Sequence, residues 1–560
     1  MTGYFNFNHL RSDFTGGLVA GVIALPLALA FGVQSGLGAT AGLYGAIFVG
    51  IFAALFGGTE TQASGPTGPM TVISAALVTA VIDQTGSLEN GLGIILLAFT
   101  LGGLVQIVFG LLNIAGYVKY FPYPVISGFM SGVGLIIIIL QIAPFLGLSS
   151  PKSTIKVIQS LPEILANVNV YALLLGLITV AVYFLFPLVT KRVPAALVAL
   201  VVATAVSYLT GWDVPLIGDI PSGLPSLELG AILGSLGQAD WPLVLEYAVV
   251  LAVLGSIDSL LTSVIADNMT KTRHNSNREL IGQGIGNALA GLFGGIPGAG
   301  STKGTVVNIN AGGVTRLSGM IHGLFLLAVL LGLGKLAAII PLSVLAGLLI
   351  PVGIKIIDFR GLKHLAKVPK SDAVVLIIVL LITTFGSLIQ AVGVGLALAS
   401  LLFMVKAGRA AEERLEATTV AGLEDEEIWP DERPFFEANK DRVLIKHLTG
   451  PLFFGFTAYF RQQLERVDPN VRVVIIRMDR VPFVDQSGLY TLEDGILDLE
   501  IRGIEVVLVG LQEQPRDMLE SVDLIPDLIP DHQVVNTVRE AYAAAARIIK
   551  GEAAEEVTAG

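Results

Sequence analysis

Ala54-Leu-Phe-Gly-Gly58 precedes the break Ser64-Gly-Pro-Thr-Gly-Pro69, and Gly291-Leu-Phe-Gly-Gly295 precedes the break Gly298-Ala-Gly-Ser-Thr302. Each break is rich in Gly, Pro, Ser or Thr and interrupts an apolar region. The apolar segment after each break is too short to cross ~30 Å of hydrocarbon as a simple helix. The sequence therefore predicts two related halves, each with a helix that begins inside a membrane.

The composition is that of a polytopic helical membrane protein. Of the 560 residues, 53% are hydrophobic and 14% are charged, and the mean hydropathy is +0.76. Soluble domains carry about 25% charged residues. There is no cysteine, which excludes disulfides, thiolate metal sites and thiol nucleophiles. We find no Walker phosphate loop and no His-Glu-x-x-His motif, so neither an enzyme nor a bound cofactor is expected.

Hydropathy predicts fourteen transmembrane segments in residues 1–408. They are 14–34, 39–57, 67–83, 92–114, 121–146, 170–189, 193–210, 242–266, 279–295, 301–312, 316–333, 336–357, 373–388 and 390–407. The two Leu-Phe-Gly-Gly copies end spans 2 and 9. These two spans are seven apart, and an odd number of crossings reverses the direction of a span in the membrane. We therefore predict a 7+7 inverted repeat with halves at about 14–210 and 242–407.

The charge is divided unequally along the chain. Residues 1–408 hold 18 Lys and Arg against 15 Asp and Glu, whereas residues 409–560 hold 16 against 30. Loops after even-numbered spans carry eleven Lys and Arg, and loops after odd-numbered spans carry three. The positive-inside rule therefore predicts that both termini are cytoplasmic. We expect a multi-pass protein of the cell membrane, meaning the inner or plasma membrane. Neither part has the basic character expected for nucleic-acid binding.

The C-terminal part alternates between strand and helix patterns, which predicts a small α/β domain at 436–550 after a linker at 409–435 and before a tail at 551–560. Predicted strands are 442–448, 471–477, 481–484 and 504–509, and predicted helices are 458–467, 489–502, 512–522 and 534–550. Asp485-Gln-Ser-Gly488 begins one of these helices. Ser487 would lie where a phosphate is electrostatically favoured, but the same residues suit a simple cap by Asp485 or Ser487.

Asp258 lies deep in an apolar helix, where a carboxylate costs ~3 kcal/mol or more and is expected to face a cavity, an ion or a partner. Thr262 is four residues further on, on the same helix face. A carboxylate with hydroxyls and carbonyls suits Na⁺ or a proton. An alternative is a structural Asp258 whose charge is paired with a basic residue such as Lys303.

The two breaks predict an anion site. Helices that begin at Thr67-Gly68 and at Ser301-Thr302 would direct free N–H groups and partial positive charge at the middle of the membrane. Ordinary loops with Gly for packing are the alternative. His322 starts another apolar helix and is expected to pack there.

These motifs, with Pro122-Tyr-Pro-Val-Ile-Ser-Gly-Phe129 and Arg278-Glu-Leu-Ile-Gly-Gln-Gly-Ile-Gly-Asn287, resemble the sulfate permease family over nearly the whole chain. The Asp485-Gln-Ser-Gly488 segment resembles a STAS domain. Within the family the chain is similar to the sodium-dependent bicarbonate transporters. The resemblance implies core and gate domains, elevator-type movement and a homodimer joined by cytoplasmic STAS domains.

The resemblance also implies functional residues. Asp258, Thr262, Gly300 and Thr302 match the family's sodium site, and Thr67 and Ser301 match positions beside bicarbonate. Where many relatives have Arg, this chain has Gly304 with Lys303 beside it. A Na⁺-coupled bicarbonate symporter is therefore expected. Transport of sulfate, a dicarboxylate or chloride, with H⁺ coupling or by exchange, stays open, as do a channel-like conductor and a membrane-tethered signalling protein.

Overall fold

The computed structural model describes residues 7–151, 153–190, 193–218, 223–416, 439, 442–453 and 467–550. The chain divides into two compact units, Met1–Ala399 and Ser400–Gly560. The first is helical, and the second contains a parallel sheet with helices.

Within the described residues, fourteen main helices follow the fourteen predicted spans in order, although several ends differ. They are α1 Leu10–Gln34, α2 Ala39–Phe56, α3 Gly68–Thr85, α4 Leu88–Leu111, α5 Tyr123–Leu140, α6 Val170–Val189, α7 Ala195–Thr210, α8 Trp241–Thr270, α9 Ser276–Leu292, α10 Thr302–Asn310, α11 Arg316–Ala338, α12 Leu342–Ile356, α13 Lys370–Phe385 and α14 Leu388–Glu416. Seven of the helical segments are long and apolar enough to cross a membrane, judged by length and composition.

Shorter helical turns lie between the main helices. They are Phe7–His9, Ile114–Tyr120, Ile142–Phe145, Thr154–Gln159, Leu161–Ala166, Leu229–Ser235 and Phe359–Lys363. Proline directly precedes four main helices, as Pro122, Pro194, Pro341 and Pro369. Proline lacks an N–H and has a fixed φ, so it suits the entry to a helix rather than its interior.

The helices of the first unit pack in two groups. In the core group, α1 packs on α2 and α11, and α9 packs on α2 and α4. In the gate group, α5 packs on α12 and α13, and α6 packs on α7 and α12. A Cβ at Gly284 would lie 2.5 Å from the Gly103 carbonyl oxygen, so glycine is what allows α9 and α4 to approach closely.

The first unit also contains two short strands, β1 Ser64–Gly65 and β2 Ala299–Gly300. The second unit contains a parallel sheet of four strands, β3 Val443–Thr449, β4 Val473–Arg480, β5 Glu505–Val509 and β6 Val534–Val535, which are adjacent in that order. Its helices are α15 Gln486–Ile501, α16 Glu513–Ser521 and α17 Val538–Lys550. Short helical turns lie at Leu524–Leu528 and Asp531–Gln533. Alternate residues of β3 and β4 face two hydrophobic cores, one shared with α15 and the other with α17.

Three predictions for the second unit need correction. The predicted helix 534–550 begins only at Val538, because Val534 and Val535 pair with β5 as a fourth strand. The predicted strand 481–484 is reduced to a single bridge between Leu452 and Val484. Helix α14 continues to Glu416, into the predicted linker.

Some predicted features fall where the structure gives no description. The rest of the linker, 417–435, and the tail, 551–560, lie outside the described residues. The predicted helix 458–467 also lies outside them, except for Val467.

Candidate cation and anion site

The two breaks meet each other in space. Strands β1 and β2 form an antiparallel pair with Ser64 opposite Gly300 and Gly65 opposite Ala299. A Cβ at Gly298 would collide with the Gly65 carbonyl group, so glycine permits this approach. Helices α3 and α10 begin within a few residues of the pair, which brings their N-terminal ends to one place in the core group.

The helices that follow the breaks, α3 and α10, begin at the Thr and Ser residues that the sequence predicted. Thr67 is the N-cap of α3, and Pro69 lies in its first turn. Ser301 is the N-cap of α10, and its hydroxyl accepts a hydrogen bond of 3.3 Å from the Gly304 N–H. The remaining N–H groups of a first helical turn have no partner within the helix, and they carry partial positive charge.

Helix α8 adds a cluster of oxygen atoms beside β2. The Thr262 hydroxyl donates to the Gly300 carbonyl at 2.9 Å and lies 2.9 Å from the Thr302 hydroxyl. The Ser259 hydroxyl accepts from the Gly300 N–H at 3.0 Å. The structure thus brings together three of the four residues expected at the sodium site.

The fourth, Asp258, lies one helical turn before Thr262 and borders Thr67. The Asp258 Oδ2 and Thr67 Oγ1 atoms are both buried, and neither has a hydrogen-bond partner of standard geometry although the side chains are neighbours. Buried polar atoms are nearly always satisfied in proteins. These two are therefore candidates to bind an ion or a water molecule.

Lys303 does not neutralise Asp258. Its side chain is exposed, and its charged neighbour is Lys355, whose Nζ donates to the Tyr183 hydroxyl at 2.8 Å. Across the described residues, no ion pair connects Asp258 with Lys303. The structure therefore gives no support to the alternative of a structural Asp–Lys pair.

Sequence reasoning missed the face of α9 that holds both breaks. Glu279 accepts hydrogen bonds from the Gly58 and Thr59 N–H groups, both at 2.8 Å. The Gln283 amide donates to the Ser64 hydroxyl at 2.6 Å.

The second break is held in the same way. The Asn287 amide oxygen accepts from the Gly298 N–H at 2.7 Å. Glu279, Gln283 and Asn287 are spaced by four residues within the Arg278–Asn287 motif, so helical periodicity was the available signal.

Two cavities lie near the paired strands β1 and β2. One is lined by Ser64–Pro66, Ser301, Gly304 and His322, with apolar residues of α1 and α2 completing the wall. The other lies beside Asp258 and is lined mainly by apolar side chains, including those of Pro69 and Phe129. The first cavity thus touches both breaks, and the second touches the carboxylate.

In the second unit, Asp485 is the N-cap of α15. Its carboxylate accepts from the Gly488 N–H at 2.7 Å. Ser487 is exposed in the first turn of this helix. The capping role that the sequence allowed for Asp485 is therefore present, and the Ser487 side chain is accessible at the helix start.

Comparison with known proteins agrees with this architecture. The sulfate permease family model matches residues 10–379, and the STAS domain model matches residues 438–541. The bicarbonate transporters BicA of Synechocystis sp. and Picosynechococcus sp. are 42% and 41% identical to the chain. These alignments cover 94% and 95% of the chain and 92% and 94% of the two relatives.

Solved structures show the same fold. The transmembrane domain of a cyanobacterial bicarbonate transporter BicA matches with a TM-score of 0.65 and 49% identity. That match covers 69% of this chain and 98% of that one. Murine Slc26a9, an anion transporter in the inward-facing state, matches with a TM-score of 0.81 and 20% identity, over 98% of this chain and 92% of that one.

Paired broken helices whose N-terminal ends meet inside a helical bundle are typical of membrane transporters. Within that class, the chain belongs to the sulfate permease family, and its C-terminal unit contains a STAS domain. It is a multi-pass membrane anion transporter with fourteen segments in the family's inverted-repeat fold.

Proposed function

We propose that this chain is a Na⁺-coupled bicarbonate symporter. The observation that carries the proposal is the oxygen cluster of Thr262, Gly300 and Thr302, one helical turn from the unpartnered Asp258 oxygen. Hard cations prefer carboxylate, hydroxyl and carbonyl oxygens. Two relatives above 40% identity carry the name bicarbonate transporter, which favours this anion for the present chain.

The anion binds between the N-termini of α3 and α10. These helix starts supply N–H groups and partial positive charge, and Thr67, Gly68, Ser301 and Thr302 are their first residues. Na⁺ at Asp258 removes a negative charge that would otherwise repel the anion. Each ion therefore increases the affinity for the other, which is the thermodynamic requirement for coupling.

The transport step is an elevator-type movement of the core group along the gate group. The helices that follow the two breaks pack on the core group, α3 on α4 and α10 on α1, and α9 of this group is hydrogen-bonded to both breaks. Movement of that group as one body would carry the site without dismantling it. The positive-inside bias of the loops supports a cytoplasmic location for both termini and the STAS domain. In this proposal the STAS domain joins two copies of the chain.

Radiolabelled bicarbonate uptake into proteoliposomes tests the proposal, with Na⁺ replaced by choline in a parallel sample. Saturable uptake that requires Na⁺ and is weakly inhibited by sulfate and chloride is the expected result. Uptake that is equal in choline would contradict Na⁺ coupling. Strong competition by sulfate would instead assign the anion site to sulfate transport.

A further inference from the structure

His322 on α11 lines the cavity that touches both breaks. Its side chain is 3% exposed, and its Nδ1 atom is buried without a hydrogen-bond partner. A Cβ placed on Gly50 would lie 3.0 Å from this nitrogen and 3.3 Å from the Ser64 carbonyl oxygen. The imidazole is therefore buried against Gly50 of α2, and it borders the cavity that the first break also lines.

The surroundings of His322 favour an uncharged ring. The cavity wall contains no acidic side chain among its lining residues, which include Ser64, Pro66, Ser301 and Gly304. Nothing in that wall compensates the cost of burying a positive charge. A neutral imidazole has one N–H donor and one nitrogen lone pair, whichever tautomer is present.

We infer that His322 is a further residue of the anion site and that it favours an anion carrying its own O–H group. This inference rests on the proposed function and deepens it. The helix N-termini bind the negatively charged oxygens, and the imidazole lone pair accepts the O–H hydrogen of bicarbonate. Chloride, nitrate and sulfate have no hydrogen to donate, so with them the buried lone pair stays unpaired.

The test measures uptake of radiolabelled bicarbonate by the full chain in proteoliposomes, with inhibition by chloride, nitrate and sulfate. For His322→Leu we expect the bicarbonate KM to rise roughly tenfold, the loss expected for one buried hydrogen bond. Inhibition by the three competing anions should become correspondingly stronger relative to bicarbonate. Half-saturation by Na⁺ at saturating bicarbonate should stay unchanged, because His322 does not belong to the Asp258 cluster.

Two matched variants separate recognition from packing. His322→Gln retains a hydrogen-bond acceptor and should keep most of the discrimination between anions. Leu326→Met changes a fully buried residue one turn further along α11 and should leave both KM and selectivity unchanged. A loss of selectivity in Leu326→Met equal to that in His322→Leu would overturn the inference.

Gly50→Ala provides an independent variant that retains the imidazole. The added methyl group would press on Nδ1, so the ring must shift and the bicarbonate KM should rise. If His322→Leu yields no monodisperse protein, a wild-type KM in Gly50→Ala overturns the inference. A wild-type protein without bicarbonate uptake would refute the proposed function itself, whereas normal wild-type uptake with unaltered KM in His322→Leu would refute only the role of His322.

Discussion

Asp258 combines a buried unpartnered oxygen with a position one helical turn from the Thr262 hydroxyl. An ionised carboxylate without a counter-charge is costly in this setting. Since Lys303 is exposed and its charged neighbour is Lys355, a bound cation is the simplest source of compensation.

For Asp258→Asn we expect loss of most uptake and a weaker apparent Na⁺ affinity. Charge-assisted interactions are worth ~1.5–3 kcal/mol, so the affinity should fall roughly tenfold to a hundredfold. Thr262→Val removes one neutral oxygen and should weaken Na⁺ less. Initial uptake measured against Na⁺ concentration compares the variants.

The double variant Asp258→Asn with Lys303→Met is the control for this assignment. Because the two side chains do not pair, removing both charges should not restore uptake. Recovery of transport in the double variant would instead support a structural ion pair, and wild-type Na⁺ dependence in Asp258→Asn would place the cation elsewhere.

Ser301 gives a prediction for the anion site. Ser301→Leu would place a branched side chain in the cavity at the start of α10, so we expect uptake to be abolished while protein yield stays nearly normal. Ser301→Ala removes only the cap to Gly304 and should be mild, because backbone N–H groups provide most of the anion binding. Full activity of Ser301→Leu, measured in proteoliposomes, would exclude this location for the anion.

Helix α9 illustrates how a single element stabilises the site without contacting the ions. Gln283 is fully buried and bonds to both Ser64 and Glu279. Gln283→Leu leaves buried polar partners less well satisfied, and we expect a loss of about 1–3 kcal/mol in the free energy of unfolding. Gln238→Leu at an exposed position is the matched control and should change stability by less than about 0.5 kcal/mol. Thermal unfolding in one detergent should show a lower Tm only for Gln283→Leu.

The connection between α12 and α13 is tied to α5 by a carboxylate. Asp358 accepts hydrogen bonds from the Ser127 hydroxyl at 2.6 Å, the Tyr123 hydroxyl at 2.5 Å and the Gly361 N–H at 3.0 Å. Partial burial by itself would raise the pKa of Asp358, but these hydrogen bonds outweigh it and hold the pKa below the usual value. The charged form is therefore favoured in the folded protein.

This lowered pKa implies a stability that depends on pH. A depressed carboxyl pKa contributes stability that is present above the unfolded pKa of ~3.9 and is lost as the pH falls through the folded value. We expect Asp358→Asn to lower Tm at neutral pH and to make Tm less sensitive to acid below about pH 4. Tm measured from pH 7 to pH 3 for both proteins checks this, and parallel acid profiles would contradict it.

At the scale of the whole molecule, the two units have separate hydrophobic cores. The STAS sheet is covered on both faces by its own helices, and the membrane helices pack within their own unit. Removal of residues 436–560 should therefore reduce the dimer fraction more than it disrupts the membrane fold. Light scattering in mild detergent measures the dimer fraction, and thermal unfolding of the truncated protein measures the fold. An unchanged dimer fraction would contradict assembly through the STAS domain.

Sequence by itself determined the features that local chemistry controls. Apolar runs predicted fourteen segments, which the helices follow in order, and Pro and Gly marked the breaks because they restrict or free the backbone. Cap residues such as Ser301 and Asp485 were identifiable, since capping depends on a few neighbouring positions. The short strand β6 was missed because two residues carry no periodicity and form a strand only through pairing with β5.

Tertiary structure alone decided which distant groups meet. The pairing of Ser64 with Gly300 and the presence of His322 in the cavity beside both breaks depend on packing between the two halves. The separation of Lys303 from Asp258 depends on packing within the second half. No local pattern encodes them, because residues more than two hundred positions apart contribute to one site. Residue types in the sequence therefore predicted the kind of ions that the site could bind. Which residues form the site followed from the packing of the helices.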